Sequence, residues 1–203
     1  MVPLANEPLY ERHMEQFFAH VSAFAPISEA DRHTLIKHST VLYMRAGESF
    51  LKPGEVCHCA AFLLEGVFRV FVSDDEGREI IRGFPRRNDF LYDIQSFNQQ
   101  VSVAETWEAM TDARMLVWSR KAIDYLKQSL PSWYVTVGMM LHKAMLDDSL
   151  ERAEMFSDNA TTRYKKFMMR YPEVVAHVPL RHIANYLGIA PQSLSRIRQQ
   201  ISR

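Results

Sequence analysis

Residues 40–118 are a succession of short apolar runs, TVLYM, ESFL, AAFLLE, VFRVFV, EIIRGF, ETWEAM and RMLVW, separated by RAGE, KPGE, EG, SDDEG and PRRND. No other stretch restricts the fold as strongly. The runs are too short for helices, and the glycines between them suit tight turns. The pattern predicts an all-β barrel or sandwich, with SDDEG turning a hairpin between VFRVFV and REIIRGF.

The flanks read differently. Residues 8–38 have helical periodicity, carried by Met14, Phe17, Phe18 and Val21, and Ser28 is placed to cap the stretch that follows it. Ser119 is a similar cap for RKAIDYLKQSL. After Pro131, residues 132–156 predict a long helix with an apolar stripe of Val137, Leu141, Ala144, Met145 and Leu150. Such a helix either packs on its own domain or pairs with a copy of itself, and the spacing is not a clean heptad. SDNATT at 157–162 looks like a hinge, with Asp158, Asn159 and Thr161 as available caps for TRYKKFMMRY, which stops at Pro172. The fold class expected is α+β: an N-terminal β-barrel or jelly roll, then helices.

Composition narrows the function. The net charge is zero, yet residues 157–203 hold 8 Lys/Arg against 2 Asp/Glu, while residues 1–156 hold 16 against 22. A basic end on an acidic chain points to a polyanionic partner. The two cysteines, Cys57 and Cys59, are too close for an ordinary disulfide, which indicates a reducing compartment. With no membrane-length apolar run and no signal peptide, a soluble, cytoplasmic protein is expected.

The basic end carries the most specific motif, RHIANYLGIAPQSLSRIRQQ at 181–200. Ile183, Leu187, Ile189, Leu194 and Ile197 let two short helices bury against each other. Ala184 is small where the second helix crosses, Gly188 suits the turn between them, and Pro191 suits the first turn of the second helix. That helix presents Gln192, Ser193, Ser195, Arg196, Gln199 and Gln200, all able to donate to phosphates or base edges. This is a helix-turn-helix.

The order of parts, with RAGESFLKPGEVCHCAAFLLEGVFRVFVSDDEGRE in the barrel and RYPEVVAHVPLRHIANYLGIAPQSLSRIR at the end, resembles the Crp/Fnr family of bacterial transcription regulators. The second phrase is similar to the family's compact branch in Bacteroidetes-type bacteria. The resemblance implies a cyclic-nucleotide-binding-like sensor domain over 1–130, a dimerisation helix over 131–156 and a helix-turn-helix domain over 157–203. It implies a homodimer on palindromic double-stranded DNA, an effector of unidentified chemistry, and RNA polymerase as a further partner. Arg196 is then the main base reader and Gln192 its neighbour. Ser193, Ser195 and Gln199 touch phosphate or water, and Lys165 and Lys166 the DNA backbone.

The chain also departs from that family. Its cyclic-nucleotide members use Gly-Glu followed by Arg-Ser/Thr-Ala. Here Tyr92-Asp93 stands at Gly-Glu, and Ser102 or Val103 stands where the Arg should be. A buried phosphate would lack its counter-charge, so no tight binding of cyclic AMP or cyclic GMP is expected. Cys57-His58-Cys59 supplies too few ligands for a zinc site or an iron–sulfur cluster, so no metal and no cofactor are expected. Ala190 replaces the usual Ser or Thr cap of the recognition helix. The alternative function is a small-molecule sensor using the barrel pocket, with DNA binding secondary. Catalysis is not expected, because no nucleophile–base pair, metal motif or phosphate loop is visible.

Overall fold

The computed structural model describes residues 8–201. Two helices open the chain, α1 (Pro8–Ser22) and α2 (Glu29–Lys37), and the β domain follows: β1 (Thr40–Met44), β2 (Ser49–Leu51), β3 (Cys59–Glu65), β4 (Phe68–Ser73), β5 (Glu79–Gly83) and β6 (Phe90–Leu91). After α3 (Ile94–Gln99) come β7 (Thr106–Ala109) and β8 (Ala113–Ser119). The rest is helical: α4 (Arg120–Ser129), α5 (Pro131–Ser157), α6 (Ala160–Arg170), α7 (Pro172–His177), α8 (Leu180–Leu187) and α9 (Pro191–Ile201).

The strands form two antiparallel sheets, ordered β1-β8-β3-β6 and β2-β7-β4-β5. Period-two alternation gives each sheet two apolar faces. Ala61, Leu63, Leu91 and Met115 of the first sheet meet Phe68, Val70, Trp107 and Ala109 of the second inside the sandwich. The outer face of the first sheet, with Phe62, Leu64, Leu116 and Trp118, packs on Phe17, Val21, Leu126 and Trp133 from the helices. The outer face of the second, with Val67, Phe71, Ile81 and Phe84, shares a core with Tyr164, Phe167, Ile183, Leu187 and Leu194. The molecule is therefore layered as helices, sheet, sheet, helices.

The expected caps form. Ser28 accepts from the Asp31 amide at 3.1 Å and Ser119 from the Ala122 amide at 3.2 Å. Of the three candidates after α5, Asn159 is the cap, accepting from the Thr162 amide at 3.0 Å. The joint there is tied down: Arg163 donates to the Met155 carbonyl at 2.8 Å, and Lys166 pairs with Asp158 at 2.7 Å.

The stripe read along 132–156 splits across two faces of α5. Val137 packs against the first core. Leu141 is half-buried beside it and lines the cavities on that side. The face left bare carries Val135, Met139, Leu146 and Leu150 at spacings close to a heptad, exposed by 41–65%. Cys57 lies just before β3, buried in the sandwich, and Cys59 is half-buried. Burial raises both thiols, Cys59 to about 11, so neither is a ready thiolate.

Candidate nucleic-acid interface

The motif at 180–201 folds as two short helices joined at Gly188, whose φ of 63° is left-handed. The Gly188 amide donates to the Asn185 carbonyl and the Ile189 amide to the Ala184 carbonyl, closing the end of α8. Ala184 is fully buried, as the crossing requires. Ala190 offers no side-chain cap, and its carbonyl receives the Leu194 amide.

Leu194 and Ile197 anchor α9 in the core. At about 100° per residue, Gln192, Arg196 and Gln199 fall together on the opposite face. All three are exposed, as are Ser193 and Gln200, whereas Ser195 is half-buried at the edge of that face. Arg196 has no hydrogen-bond or ion-pair partner among the described residues. On α6 the two lysines differ: Lys165 is exposed, while Lys166 pairs with both Glu154 (3.1 Å) and Asp158 (2.7 Å). Arg170 and Lys166 together hold the Glu154 carboxyl down at about 2.

The helix-turn-helix is docked on the second sheet by groups the sequence reading did not single out. Arg69, 7% exposed, pairs across the sheet with Glu108 at 3.2 Å, forms a second ion pair with Glu79, and meets His182 Nδ1 at 3.2 Å. Asn185 accepts from the Ile81 amide and donates to the Glu79 carbonyl, both at 2.8 Å. Glu151 of α5 accepts from the phenols of Tyr171 and Tyr186. The available signal was Arg69 itself, a charge in the middle of VFRVFV.

The four residues proposed for a sensor pocket take different places. Asp93 caps α3, accepting from the Ser96 amide at 2.6 Å. Ser102 is exposed in an isolated bridge to Val56. Val103 is buried in the sandwich with Phe97. Tyr92 packs on the Phe97 ring at 5.0 Å and lines a cavity outside the sandwich. A wider cleft of about 620 Å³ separates α5 from the 84–90 loop, with charges of both signs. Among the described residues, no three or more His, Cys, Asp or Glu side chains group to hold a metal ion. No helix there is long and apolar enough to cross a membrane.

The fold thus joins a β-sandwich, a long helix with one bare apolar face and a docked helix-turn-helix. Residues 41–129 match the family model of the cyclic nucleotide-binding domain. That match spans less than half of the chain, and the structural neighbours include Crp/Fnr transcription regulators. FixK2 from Bradyrhizobium japonicum superposes with a TM-score of 0.68 at 17% identity, over 81% of this chain and 84% of that one. CLP from Xanthomonas campestris, a c-di-GMP responsive global regulator, gives 0.63 at 15%, over 84% and 89%. A Crp/Fnr family regulator from Eubacterium rectale gives 0.62 at 16%, over 97% and 87%. No curated protein matches this chain by sequence.

Proposed function

We propose that the chain is a cytoplasmic transcription regulator that binds a palindromic DNA site as a homodimer. Its parts are a sensor domain over 1–130, a pairing helix over 131–156 and a DNA-binding domain over 157–203. The observation that carries this reading is the face of α9: Gln192, Arg196 and Gln199 stand together, solvated, and Arg196 has no partner among the described residues. Arg196 reads guanine, Gln192 a neighbouring base, and Ser193, Ser195 and Gln199 hold phosphate or water. Lys165 is the backbone contact on α6. Lys166 joins it only by leaving Glu154 and Asp158. RNA polymerase is a further partner of such a regulator.

The bare face of α5 supports pairing through Val135, Met139, Leu146 and Leu150. Leu146→Glu is the variant that should leave a folded monomer with weakened DNA binding, because two linked half-sites become one. Leu141→Glu instead strikes the sensor side. The sensor is degenerate toward cyclic nucleotides: Asp93 is committed to a helix cap, and Phe97 and Val103 occupy the interior. The alternative, a small-molecule sensor acting chiefly through the β domain, is favoured by the cleft beside α5.

The test is selection of bound duplexes from a random pool by the full-length chain. Two inverted half-sites about 34 Å apart are expected. Lys165→Ala should lower the slope of log affinity against log salt by about one, equally for all sequences. A pool that stays random, with or without cell extract, would overturn the reading.

A further inference from the structure

Outside the sandwich, between its first sheet and α3, α4 and α5, lies a cavity of about 270 Å³. An apolar cavity of about 150 Å³ holds benzene, so this one has room for two fused rings. Its walls are aromatic. Trp118 and Trp133, 3% and 9% exposed, are its most deeply buried rings, with Phe90 and Tyr92 beside them. The Trp118 indole N–H is already bonded to the Leu35 carbonyl at 3.2 Å, so it is not free for a ligand. Tyr134, 56% exposed, stands at the rim, and Lys127 Nζ lies 5.5 Å from its ring centre.

Two further features bear on an occupant. Lys127 is the single charged residue in the lining, beside Asn98 and the two phenols. Gly138 also lines the cavity, in the interior of α5, where glycine costs about 1 kcal/mol relative to alanine. A Cβ added there meets no atom within 4 Å, so packing within this chain does not require the glycine, which also borders the bare face of α5.

We propose that this cavity binds a small planar aromatic carboxylate, its rings stacked between the tryptophans and tyrosines and its one negative charge at Lys127. Flat rings match these walls by offset and edge-to-face packing. A single ammonium group suits a monoanion, whereas a phosphate would call for more donors. Burial holds the Tyr92 phenol above its ordinary range, so it stays protonated and able to donate. The site is separate from the DNA-reading face, and its test needs no DNA.

The full-length chain is titrated with 2-naphthoate, 2-naphthylmethanol and decanoate, followed by calorimetry and tryptophan fluorescence. Naphthoate should bind about fivefold more tightly than the alcohol, the effect of one partly solvated ion pair, and Lys127→Ala should abolish that difference. Ala60→Leu, from the sheet side, and Leu141→Phe, from α5, should each weaken binding by more than about tenfold by filling the cavity. Two fillers keep the test decisive if one variant fails to fold. No saturable binding below about 1 mM, or binding untouched by the folded fillers, would overturn the site. Equal affinity for the alcohol or for decanoate would overturn the ligand class. Tryptophan emission that shifts on protein dilution while naphthoate has no effect would give the cavity to a second copy of the chain, and the proposal would fall.

Discussion

The two helices of the helix-turn-helix share one core yet hold three polar residues each in opposite ways. On α8, His182, Asn185 and Tyr186 are all engaged, with Arg69, the edge of β5 and Glu151 respectively. On α9, Gln192, Arg196 and Gln199 stay in water. One helix is held by the molecule and the next is offered outward. Position on a helix-turn-helix therefore does not by itself leave a polar residue open to a partner. What decides is whether the fold has already satisfied its hydrogen bonds.

Substitutions should separate the two helices. The largest effect is expected at Arg69. Its removal leaves Glu108 without its partner and Glu79 with only His182 at 3.8 Å, and Arg69→Ala should lower stability by about 2–4 kcal/mol, measured by urea unfolding. Asn185→Ala should cost about 1–2 kcal/mol, with faster hydrogen exchange at the Ile81 amide, because two edge groups lose their partner.

A smaller effect is expected from pH. His182 is held below its ordinary pKa first by burial and then by Arg69 and Arg181, against the opposing pull of Glu79 and Glu108. The unfolded histidine binds a proton near pH 6.5, where the folded one does not. Stability is therefore complete above about 6.5 and falls as the pH drops from there toward the lower folded value. His20 is lowered by burial too, so the His182 share is the part of the slope that His182→Gln removes. The smallest effect on stability is expected on α9. Arg196→Ala should change it by less than about 0.5 kcal/mol while flattening base preference at one pair in each half-site. A large loss of stability there would erase the contrast between the helices.

Local chemistry announced much of this. Gly188 and Pro191 marked the turn and the start of α9, Ser28 and Ser119 the starts of their helices, and the glycine-bearing turns separated the strands. What stayed hidden was long-range. Which face of α5 is bare depends on the sheet beneath it, so a stripe read along the helix merged Leu141 on one side with Leu150 on the other. Lys166 looks like a surface cation until Asp158 and Glu154 are placed beside it. Asn185 could be known as a docking residue only once β5 lay against α8. In each case the deciding partner is distant in sequence or on another element, and no local spacing encodes it.

The grip of Asn185 on β5 has a further consequence. β5 is the last strand of its sheet, with β4 on one side only. The Asn185 amide bonds the Glu79 carbonyl and the Ile81 amide much as a neighbouring strand would. It acts as a stopper on an edge that would otherwise recruit another chain. Any motion that lifts α8 and α9 off the sheet uncovers that edge together with Phe71, Ile81 and Phe84. A protein cut after residue 157 would carry the same surface permanently. Such a fragment should self-associate and precipitate, as light scattering would show, because the helices that cover this edge are gone.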